Sequence, residues 1–234
     1  MAGGRERTSR GGEGVNPERF RRIQAALDRR QPDLTVLMER VNKPHNFSAI
    51  LRNCDAVGVL RAHVVPPEKE IDLHHHTSGG TTRWVQVQVH KTVETAGEAL
   101  KASGFKILAA HPSERARDFR EVDLTRPVAF MVGAELDGLS ESGLAVADEA
   151  VRIPMVGMVH SLNVSVATAL LLYEALRQRQ AAGLYDQSRL PEQEYLRLLF
   201  EAAYPEIARV LQSRNEPYPS LSPEGEFLTG TDGS

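Results

Sequence analysis

Apolar and polar residues follow two different periods along the middle of the chain. Short apolar runs are typical of buried strands, and they alternate with stretches in which apolar residues recur every three or four positions, as on one face of a helix. The short runs predict strands at 34–38, 62–65, 85–89, 105–110, 128–132 and 151–153. The longer stretches predict helices at 46–57, 92–103, 140–148 and 163–180. This order predicts an α/β fold, with a mostly parallel sheet and helices on both faces.

Three more helices are predicted outside the alternating region, at 17–30, 191–202 and 205–214. We therefore divide the chain into five segments: a flexible basic tail, a basic helix, a main domain, a pair of C-terminal helices and a Pro/Gly/Ser-rich tail that we expect to be disordered. Their boundaries are 1–15, 16–31, 32–185, 186–215 and 216–234.

The predicted helix at 163–180 is strongly apolar. Asn163 suits its N-cap, because a short side-chain oxygen can accept a hydrogen bond from an unpaired first-turn N–H. Apolar residues form one face and widen it, at positions 166, 169, 170, 173 and 176, with 171 and 172 beside them. A helix that is apolar nearly all round is buried on several sides, so we expect a second subunit to cover part of it in a homodimer.

Charge is distributed unevenly along the chain. The net charge is −3, which argues against indiscriminate binding of nucleic acid. Residues 1–30 carry eight arginines against four acidic residues, whereas residues 191–234 carry eight acidic residues against three arginines. Arg19, Arg21 and Arg22 lie mostly off the apolar face of the helix at 17–30, where they either contact RNA phosphates or only solvate the surface.

Composition disfavours several classes of protein and site. No apolar run approaches membrane-spanning length, and the start of the chain lacks a signal-peptide core, so we expect no membrane association. The single cysteine, Cys54, excludes an internal disulfide and fits a cytoplasmic location; its helical setting indicates a small packed residue rather than a nucleophile. His74, His75 and His76 point in different directions and have no partner at ligand spacing, so we expect no metal site.

Two groups of polar residues are candidates for chemistry. Ser161 and Asn163 precede the apolar helix, where unpaired N–H groups favour anions and polar ligands, although by pattern alone they cap a core helix. Asn46 and Arg52 are six residues apart on the helix at 46–57, and both can reach a site at its N-terminal side. His45 is a rival candidate for a base, because imidazole titrates near neutral pH. The chain contains no GxGxxG sequence, which disfavours a Rossmann-type nucleotide-binding fold.

Three segments resemble, in order, the motifs of a known enzyme family. They are NFSAILRNCDAVG at 46–58, FMVGAELDGLS at 130–140 and IPMVGMVHSLNVSVATALLLYE at 153–174. With the flanking sequences VNKPHN and RQPDLTVLMERV, they make the chain similar to the SpoU/TrmH branch of the SPOUT RNA methyltransferases. The similarity extends from about Pro17 to Tyr185.

The resemblance implies a fold and an activity. The fold is the SPOUT α/β knot, in which the loops of the second and third motifs form a trefoil knot near the C-terminus. The activity is transfer of a methyl group from S-adenosylmethionine to a ribose 2′-hydroxyl of tRNA, that of guanosine 18 in the D-loop, without a metal. Two alternatives stay open: methylation of ribosomal RNA, and a non-catalytic RNA-binding dimer on the same scaffold.

The resemblance also implies roles for single residues. Arg52 becomes the central catalytic residue, oriented by Asn46. We expect Arg52 to bind a phosphate and align the hydroxyl, because guanidinium stays protonated in proteins; direct proton removal by Arg52 is the alternative. Glu135 either fixes Arg52 or Asn163, accepts from the substrate, or is a structural carboxylate.

The complete set of expected site residues falls into three classes. The catalytic residues are Asn46, Arg52, Glu135, Ser161 and Asn163. The donor-binding residues, several of which act through backbone groups or apolar contact, are Ala110, Gly133, Ile153, Met155, Met158 and Leu162. The RNA-binding residues are Arg19, Arg21, Arg22 and Arg52. For Gly133 there is a physical reason, since a missing Cβ lets the backbone approach a ligand.

Overall fold

The structure is a computed structural model that describes residues 15–67, 84–113 and 115–228. Two compact units are present, which we describe separately. The helical unit consists of the described residues up to Leu27 together with those from Pro191 onward, and the sheet unit is Asp28–Leu190. The basic tail predicted at 1–15 lies almost entirely outside the described residues, as do His74, His75 and His76.

Helices and strands are numbered here in chain order. The helical unit contains α1 (Pro17–Leu27), α6 (Glu192–Ala203) and α7 (Pro205–Ser213). The helices of the sheet unit are α2 (Pro44–Ala56), α3 (Val93–Ala102), α4 (Glu141–Val146) and α5 (Val164–Ala181), with a short 3-10 turn at Phe119–Glu121. Its strands are β1 (Leu34–Glu39), β2 (Arg61–Val65), β3 (Gln86–Val89), β4 (Lys106–Ala110), β5 (Arg117–Asp118), β6 (Val128–Val132) and β7 (Glu149–Arg152).

The strands form one sheet in the order β3-β2-β1-β6-β4-β7-β5, and every neighbouring pair is parallel. Val36 of β1 faces a core cluster that includes Phe47 of α2 and Leu171 of α5, whereas Leu37 faces a second cluster that includes Leu100 of α3. Helices therefore cover both faces of a parallel sheet, and the predicted fold class is confirmed. None of the helices in the described part of the chain has the length and apolar content that crossing a bilayer requires.

The helix predicted at 17–30 ends early, at Leu27. Gln31 pairs with Val59 in a parallel bridge, and the buried Arg30 donates hydrogen bonds to Asp55 (2.7 Å) and to the carbonyl oxygen of Val59 (3.1 Å). A bridge requires extended backbone, so the chain leaves the helical conformation before Arg30. Phe20, Ile23 and Leu27 are buried, and this apolar face of α1 agrees with the prediction.

The disorder predicted for 216–234 does not hold for residues 216–228. The Tyr218 ring stacks on Phe200 at 4.5 Å between centroids, and the Tyr204 hydroxyl donates to the carbonyl oxygen of Gly225 at 2.6 Å. Phe227 packs against Tyr204 as well. A few aromatic side chains thus give this Pro/Gly/Ser-rich segment enough buried contact to be ordered, which average composition does not reveal. Residues 229–234 lie outside the described residues.

Helix α5 buries a different face from the one emphasised by the sequence pattern. Leu171, Leu172 and Ala175 are fully buried, whereas Val166 and Tyr173 are 47% and 52% exposed. Apolar residues on both sides made the inward face ambiguous from sequence. An apolar strip of α5 therefore remains uncovered in the single chain.

A buried arginine decides which face of α5 points inward. Arg179 lies on the same face as Leu171 and Ala175, is 0% exposed, and directs its guanidinium at the amino end of β1. It donates to the Asp33 carboxylate at 2.6 Å, and also to the side chain of Gln31 and the carbonyl oxygens of Asp33, Leu124 and Arg126. Burial alone raises the pKa of Asp33, but hydrogen bonds from Arg189 and Arg179 outweigh it and lower that pKa. Arg179 thus ties α5 to two segments that precede strands.

We expect Arg179→Met to lower the free energy of unfolding by about 3–5 kcal/mol, because the buried acceptors lose their donor. Urea denaturation followed by circular dichroism measures this. Arg177→Met is the matched control: Arg177 lies on the same helix, is exposed, and pairs with Glu174 at 2.6 Å, so it should change stability by no more than about 1 kcal/mol. Equal losses in the two variants would show that Arg179 has no special structural role.

Candidate active site

Three loops leave neighbouring strands at the carboxyl edge of the sheet. The β1 loop is 40–43, the β6 loop is 133–140 and the β7 loop is 153–163. Strands β1, β6, β4 and β7 are consecutive neighbours in the sheet, so these loops emerge side by side with the end of β4 between two of them. In parallel α/β sheets, ligands bind beyond the carboxyl ends of the strands. The sheet order thus brings all three sequence motifs to one edge.

The β6 loop is closed on itself at Gly133. Ala134 and Gly138 exchange two backbone hydrogen bonds of 3.0 Å, and Gly138 has φ +68°. A Cβ on Gly133 would lie 2.2 Å from the backbone of Gly138. Gly133 is therefore required by the loop itself, in addition to the close approach of a ligand that its missing Cβ would allow.

A chain of hydrogen bonds joins the three loops. The Asn46 amide, 1% exposed, donates from Nδ2 to Glu135 Oε1 at 2.6 Å and accepts at Oδ1 from Asn163 Nδ2 at 3.0 Å. Asn163 Oδ1 in turn accepts from the Ser165 N–H at 2.9 Å and from the Ser165 hydroxyl at 2.6 Å, at the start of α5. Asn163 is therefore the N-cap that the sequence predicts, and it is also a link between α2 and α5.

The Glu135 carboxylate determines which groups donate and which accept in this series of hydrogen bonds. It also accepts from the backbone N–H of Lys43 at 3.3 Å and of Asn42 at 3.5 Å. Burial alone raises the pKa of Glu135, but the bonds from Asn46 and from these backbone groups outweigh it and lower that pKa. Glu135 is thus an ionised acceptor at neutral pH and a poor base. Of the roles left open by the sequence, fixing Asn163 through Asn46 is the one that the geometry supports.

Arg52 takes no part in this series of hydrogen bonds. It is exposed on α2, and among the described residues it has no hydrogen-bond or ion-pair partner. Asn46 makes no direct hydrogen bond to Arg52 in the described residues, because its amide is bonded to Glu135 and Asn163; the expected orienting role stays a prediction. His45 and Ser161 are exposed beside the same helix ends. These three side chains are available to a bound molecule.

The expected donor-binding residues lie at the ends of three adjacent strands. Ala110 of β4 pairs with Val151 of β7, and the preceding Ala109 pairs with Met131 of β6, so the end of β4 lies between the strand that leads into Gly133 and the strand that leads into Ile153. The side chains that are half-buried at this edge are Ala110, Ile153, Met155 and Leu162. Met158 differs, since it is 93% exposed in the β7 loop. Ala110 and Ile153 pack against the same core cluster, Met155 and Leu162 are half-buried in the β7 loop, and Met158 is left in solvent.

Sequence reasoning missed two polar contacts at this edge. Asn53 donates from Nδ2 to the carbonyl oxygen of Ser165 at 2.9 Å, and Glu39 accepts from Ser140. Asn53 is seven residues after Asn46, two helical turns, so the shared face of α2 was a signal for the first contact. An acidic residue that ends an apolar strand was the signal for the second.

The sequence predicts neither a metal site nor a reactive thiol. In the described ranges, no group of three or more His, Cys, Asp or Glu side chains has the geometry to hold a metal ion. Burial, with a smaller effect of the Asp55 charge, raises the pKa of Cys54 to about 12. The thiol therefore stays protonated at neutral pH, in agreement with a packed residue.

In the helical unit, the three predicted RNA-binding arginines differ. Arg19 donates from its guanidinium to the carbonyl oxygens of Ala202 (2.8 Å) and Ala203 (3.2 Å), where it caps the C-terminus of α6. Arg21 only bonds Pro17 of its own helix at 3.3 Å, and Arg22 is exposed. Two of the three side chains are thus available to a partner, while Arg19 has a structural task.

Comparison with known proteins agrees with these observations. A family model described as the SpoU rRNA Methylase family matches residues 33–173, and one described as SpoU, rRNA methylase, C-terminal, matches residues 177–230. The tRNA (guanosine(18)-2'-O)-methyltransferase of Escherichia coli (strain K12) is 50% identical over 220 residues, which cover 93% of this chain and 96% of that protein.

Two solved structures are also similar. The A. aeolicus TrmH/SpoU tRNA modifying enzyme has a TM-score of 0.74 and 40% identity, covering 81% of this chain and 97% of that one. The SpoU methyltransferase AviRb from Streptomyces viridochromogenes, in complex with the cofactor AdoMet, has a TM-score of 0.55 and 27% identity, covering 66% and 62%. With its three motifs gathered at one sheet edge and a family model matched over most of its length, the chain belongs to the SpoU methylase family.

Proposed function

We propose that this protein transfers a methyl group from S-adenosylmethionine to the ribose 2′-hydroxyl of guanosine 18 in tRNA. The observation that carries the proposal is the series of hydrogen bonds from Glu135 through Asn46 to Asn163, which joins the three family motifs in this protein. The protein is also 50% identical to a tRNA (guanosine(18)-2'-O)-methyltransferase. Because the hydrogen bonds among these polar residues are all present, they support an enzyme rather than a non-catalytic RNA-binding scaffold.

The methyl donor is held at the ends of β4, β6 and β7. S-adenosylmethionine would supply a methyl group on a sulfonium sulfur: the ribose oxygen forms the new C–O bond as the C–S bond breaks, S-adenosylhomocysteine leaves and the hydroxyl proton passes to solvent. The half-buried apolar side chains of Ala110, Ile153, Met155 and Leu162 fit an uncharged adenine ring, and the closed β6 loop after Gly133 offers backbone groups. Met158, exposed in the β7 loop, takes part only if that loop folds over the donor.

Arg52 aligns the acceptor. Its guanidinium is exposed and unpaired among the described residues, so it is available for an RNA phosphate or hydroxyl. A guanidinium remains protonated in proteins, which makes binding and polarisation better roles for Arg52 than proton abstraction. Glu135 is a poor base because its pKa is lowered, and Ser161, exposed ahead of Asn163, contacts the bound molecules.

The tRNA is contacted by the basic face of α1 as well as by Arg52. Arg21 and Arg22 are exposed on α1, and residues 1–30 carry eight of the chain's arginines against four acidic residues. Phosphate contacts of this kind supply affinity rather than sequence choice.

The active form is a cytoplasmic homodimer. The support is the uncovered strip of α5, where Val166, Leu170 and Tyr173 are 41–52% exposed, together with Leu136 at 90% in the β6 loop. A second copy of the chain would bury this strip next to the donor loops. The trefoil knot of the SPOUT fold, formed by the β6 and β7 loops, belongs to the same proposal.

The first experiment is incubation with labelled S-adenosylmethionine and unmodified tRNA, followed by mapping of the modified nucleotide. We expect label on the ribose of guanosine 18 with wild-type protein. Arg52→Ala should abolish transfer and leave donor affinity within about twofold, because the donor loops do not contact Arg52. Ribosomal RNA is incubated in parallel. Label on ribosomal RNA but not on tRNA, label at another nucleotide of the tRNA, or an active Arg52→Ala variant would overturn the assignment. His45→Ala is the control, and it should retain most activity.

A second prediction concerns the direction of the hydrogen-bond chain. Asn163→Asp keeps the helix cap, since Asp and Asn cap equally well, but it places an acceptor against Asn46 Oδ1. No orientation of the Asn46 amide then satisfies both carboxylates. We expect transfer to fall by about tenfold or more, with the melting temperature lowered by only a few degrees.

The matching rescue variant is Asn163→Asp combined with Glu135→Gln. The Asn46 amide can then turn round, donate to the aspartate and accept from the new amide, so part of the activity should return. If Asn163→Asp is fully active, or if the double variant is merely the sum of two losses, the hydrogen-bond direction does not matter for the reaction.

A third prediction concerns the basic helix. Arg21→Gln with Arg22→Gln preserves helix propensity and should weaken tRNA binding and flatten its salt dependence by about two counterions. Arg19 is left intact because it caps α6. Arg209→Gln with Arg214→Gln removes two exposed charges from the acidic part of the same unit and is the matched control. Wild-type salt dependence in the Arg21/Arg22 variant would show that these side chains only solvate the surface.

A further inference from the structure

One buried carboxyl group at the active edge has no part in the chemistry described above. Glu39 is the last residue of β1, the strand between β2 and β6, and is only 3% exposed. A buried carboxyl group is costly unless its oxygens find donors, so the partners of Glu39 show what it is for.

Both carboxyl oxygens of Glu39 accept hydrogen bonds from Ser140, and the Arg40 guanidinium forms an ion pair with Oε1 at 3.7 Å. Oε2 accepts from the Ser140 backbone N–H at 3.0 Å, and Oε1 accepts from the Ser140 hydroxyl at 2.5 Å. The Ser140 oxygen in turn accepts from the Gly143 N–H at 2.9 Å, as the N-cap of α4. The carboxyl group therefore holds the last residue of the β6 loop by two bonds.

The surroundings leave room for this contact. A Cβ on Gly143 would lie 2.5 Å from Glu39 Oε2, so a side chain there would displace the carboxyl group. Arg40, the next residue, has φ +52°, a left-handed conformation that is rare outside glycine, and donates its N–H to the Val65 carbonyl oxygen at 2.8 Å. Such strained residues occur where the surrounding structure fixes the backbone. The corner at the end of β1 is thus rigid.

The β6 loop is consequently braced at both ends. Near its start, Glu135 reaches across to Asn46 and to the backbone of Lys43; at its end, Ser140 is held by Glu39. Between these braces, Leu136, Asp137 and Gly138 are exposed, whereas Leu139 is buried. The two braces have different targets, because Glu135 connects the loop to α2, which carries Arg52, whereas Glu39 connects it only to the sheet.

From this geometry we infer that Glu39 is a positioning residue for the methyl donor: it fixes the end of the β6 loop, so that the loop backbone is ready to receive S-adenosylmethionine. The inference rests on the proposed function, which places the donor against that loop. The two acidic residues then have different roles: Glu39 positions the loop that binds the donor, and Glu135 aligns α2 with α5.

The test is the affinity for S-adenosylmethionine, measured by calorimetry on the full chain without RNA. Glu39→Ala removes both acceptors of Ser140 and should weaken donor binding by about tenfold or more. Glu39→Gln keeps one acceptor and can donate to the Ser140 hydroxyl, so it should stay within about threefold of wild type. Affinity for tRNA should not change in either variant.

Two further variants separate positioning from general loss of stability. Val128→Ala creates a defect in the same sheet at the amino end of β6, and it should lower the melting temperature without changing donor affinity. Ser140→Ala removes the hydroxyl bond to Glu39 and the cap of α4 but keeps the backbone N–H bond, so it should weaken donor binding less than Glu39→Ala does. The losses of the two variants should not add, because both weaken the same attachment of the loop.

The outcomes distinguish the inference from the function on which it rests. Absence of S-adenosylmethionine binding by the wild-type protein would overturn the proposed function and this inference together. If wild-type protein binds the donor and folded Glu39→Ala binds it equally well, only the inference fails. It also fails if Val128→Ala loses as much donor affinity as Glu39→Ala at equal stability. Should Glu39→Ala not fold, Ser140→Ala alone decides, with unchanged donor affinity counting against the inference.

Discussion

The hydrogen bond from Asn46 to Glu135 fixes the direction in which the other amides of the site point. A carboxylate can only accept, so Asn46 must present Nδ2 to it and Oδ1 to Asn163. Asn163 must then turn its own oxygen to the N–H groups at the start of α5. A fixed negative charge at one end and a helix N-terminus at the other thus polarise the whole chain, and neither amide is free to flip.

This arrangement needs a rigid frame, and α5 supplies it by being held at both ends. Its N-terminus is bonded to α2 through Asn163 and through the contact of Asn53 with Ser165, and its C-terminal part is anchored by Arg179 to Asp33 at the opposite edge of the sheet. Helix α2 is held in the same way, by Glu135 at its start and by Arg30 near its end. The side chains that remain exposed, Arg52 among them, project from a fixed scaffold.

Acidic residues illustrate how one residue type acquires different tasks from its surroundings. Asp33 balances two arginines far from the site, Glu135 orients an amide, and Glu39 holds a serine at the end of a loop. None of these carboxyl groups is available as a base. In the proposed reaction, the chain's residues therefore act by binding and alignment more than by proton transfer, which fits a reaction whose donor is already activated.

Sequence by itself determined most of the elements and the parallel sheet, because apolar periodicity and caps such as Asn163 are local signals. Three ordered motifs identify the family, and the roles of the site residues inferred from them stay predictions. Only the tertiary structure decided which face of α5 is buried, that Asn46 bonds Glu135 rather than Arg52, that Arg19 caps α6, and that residues 216–228 pack against aromatic side chains. These outcomes depend on partners that are distant along the chain. An arginine or an asparagine has several possible partners, and the fold determines which of them comes within hydrogen-bonding distance.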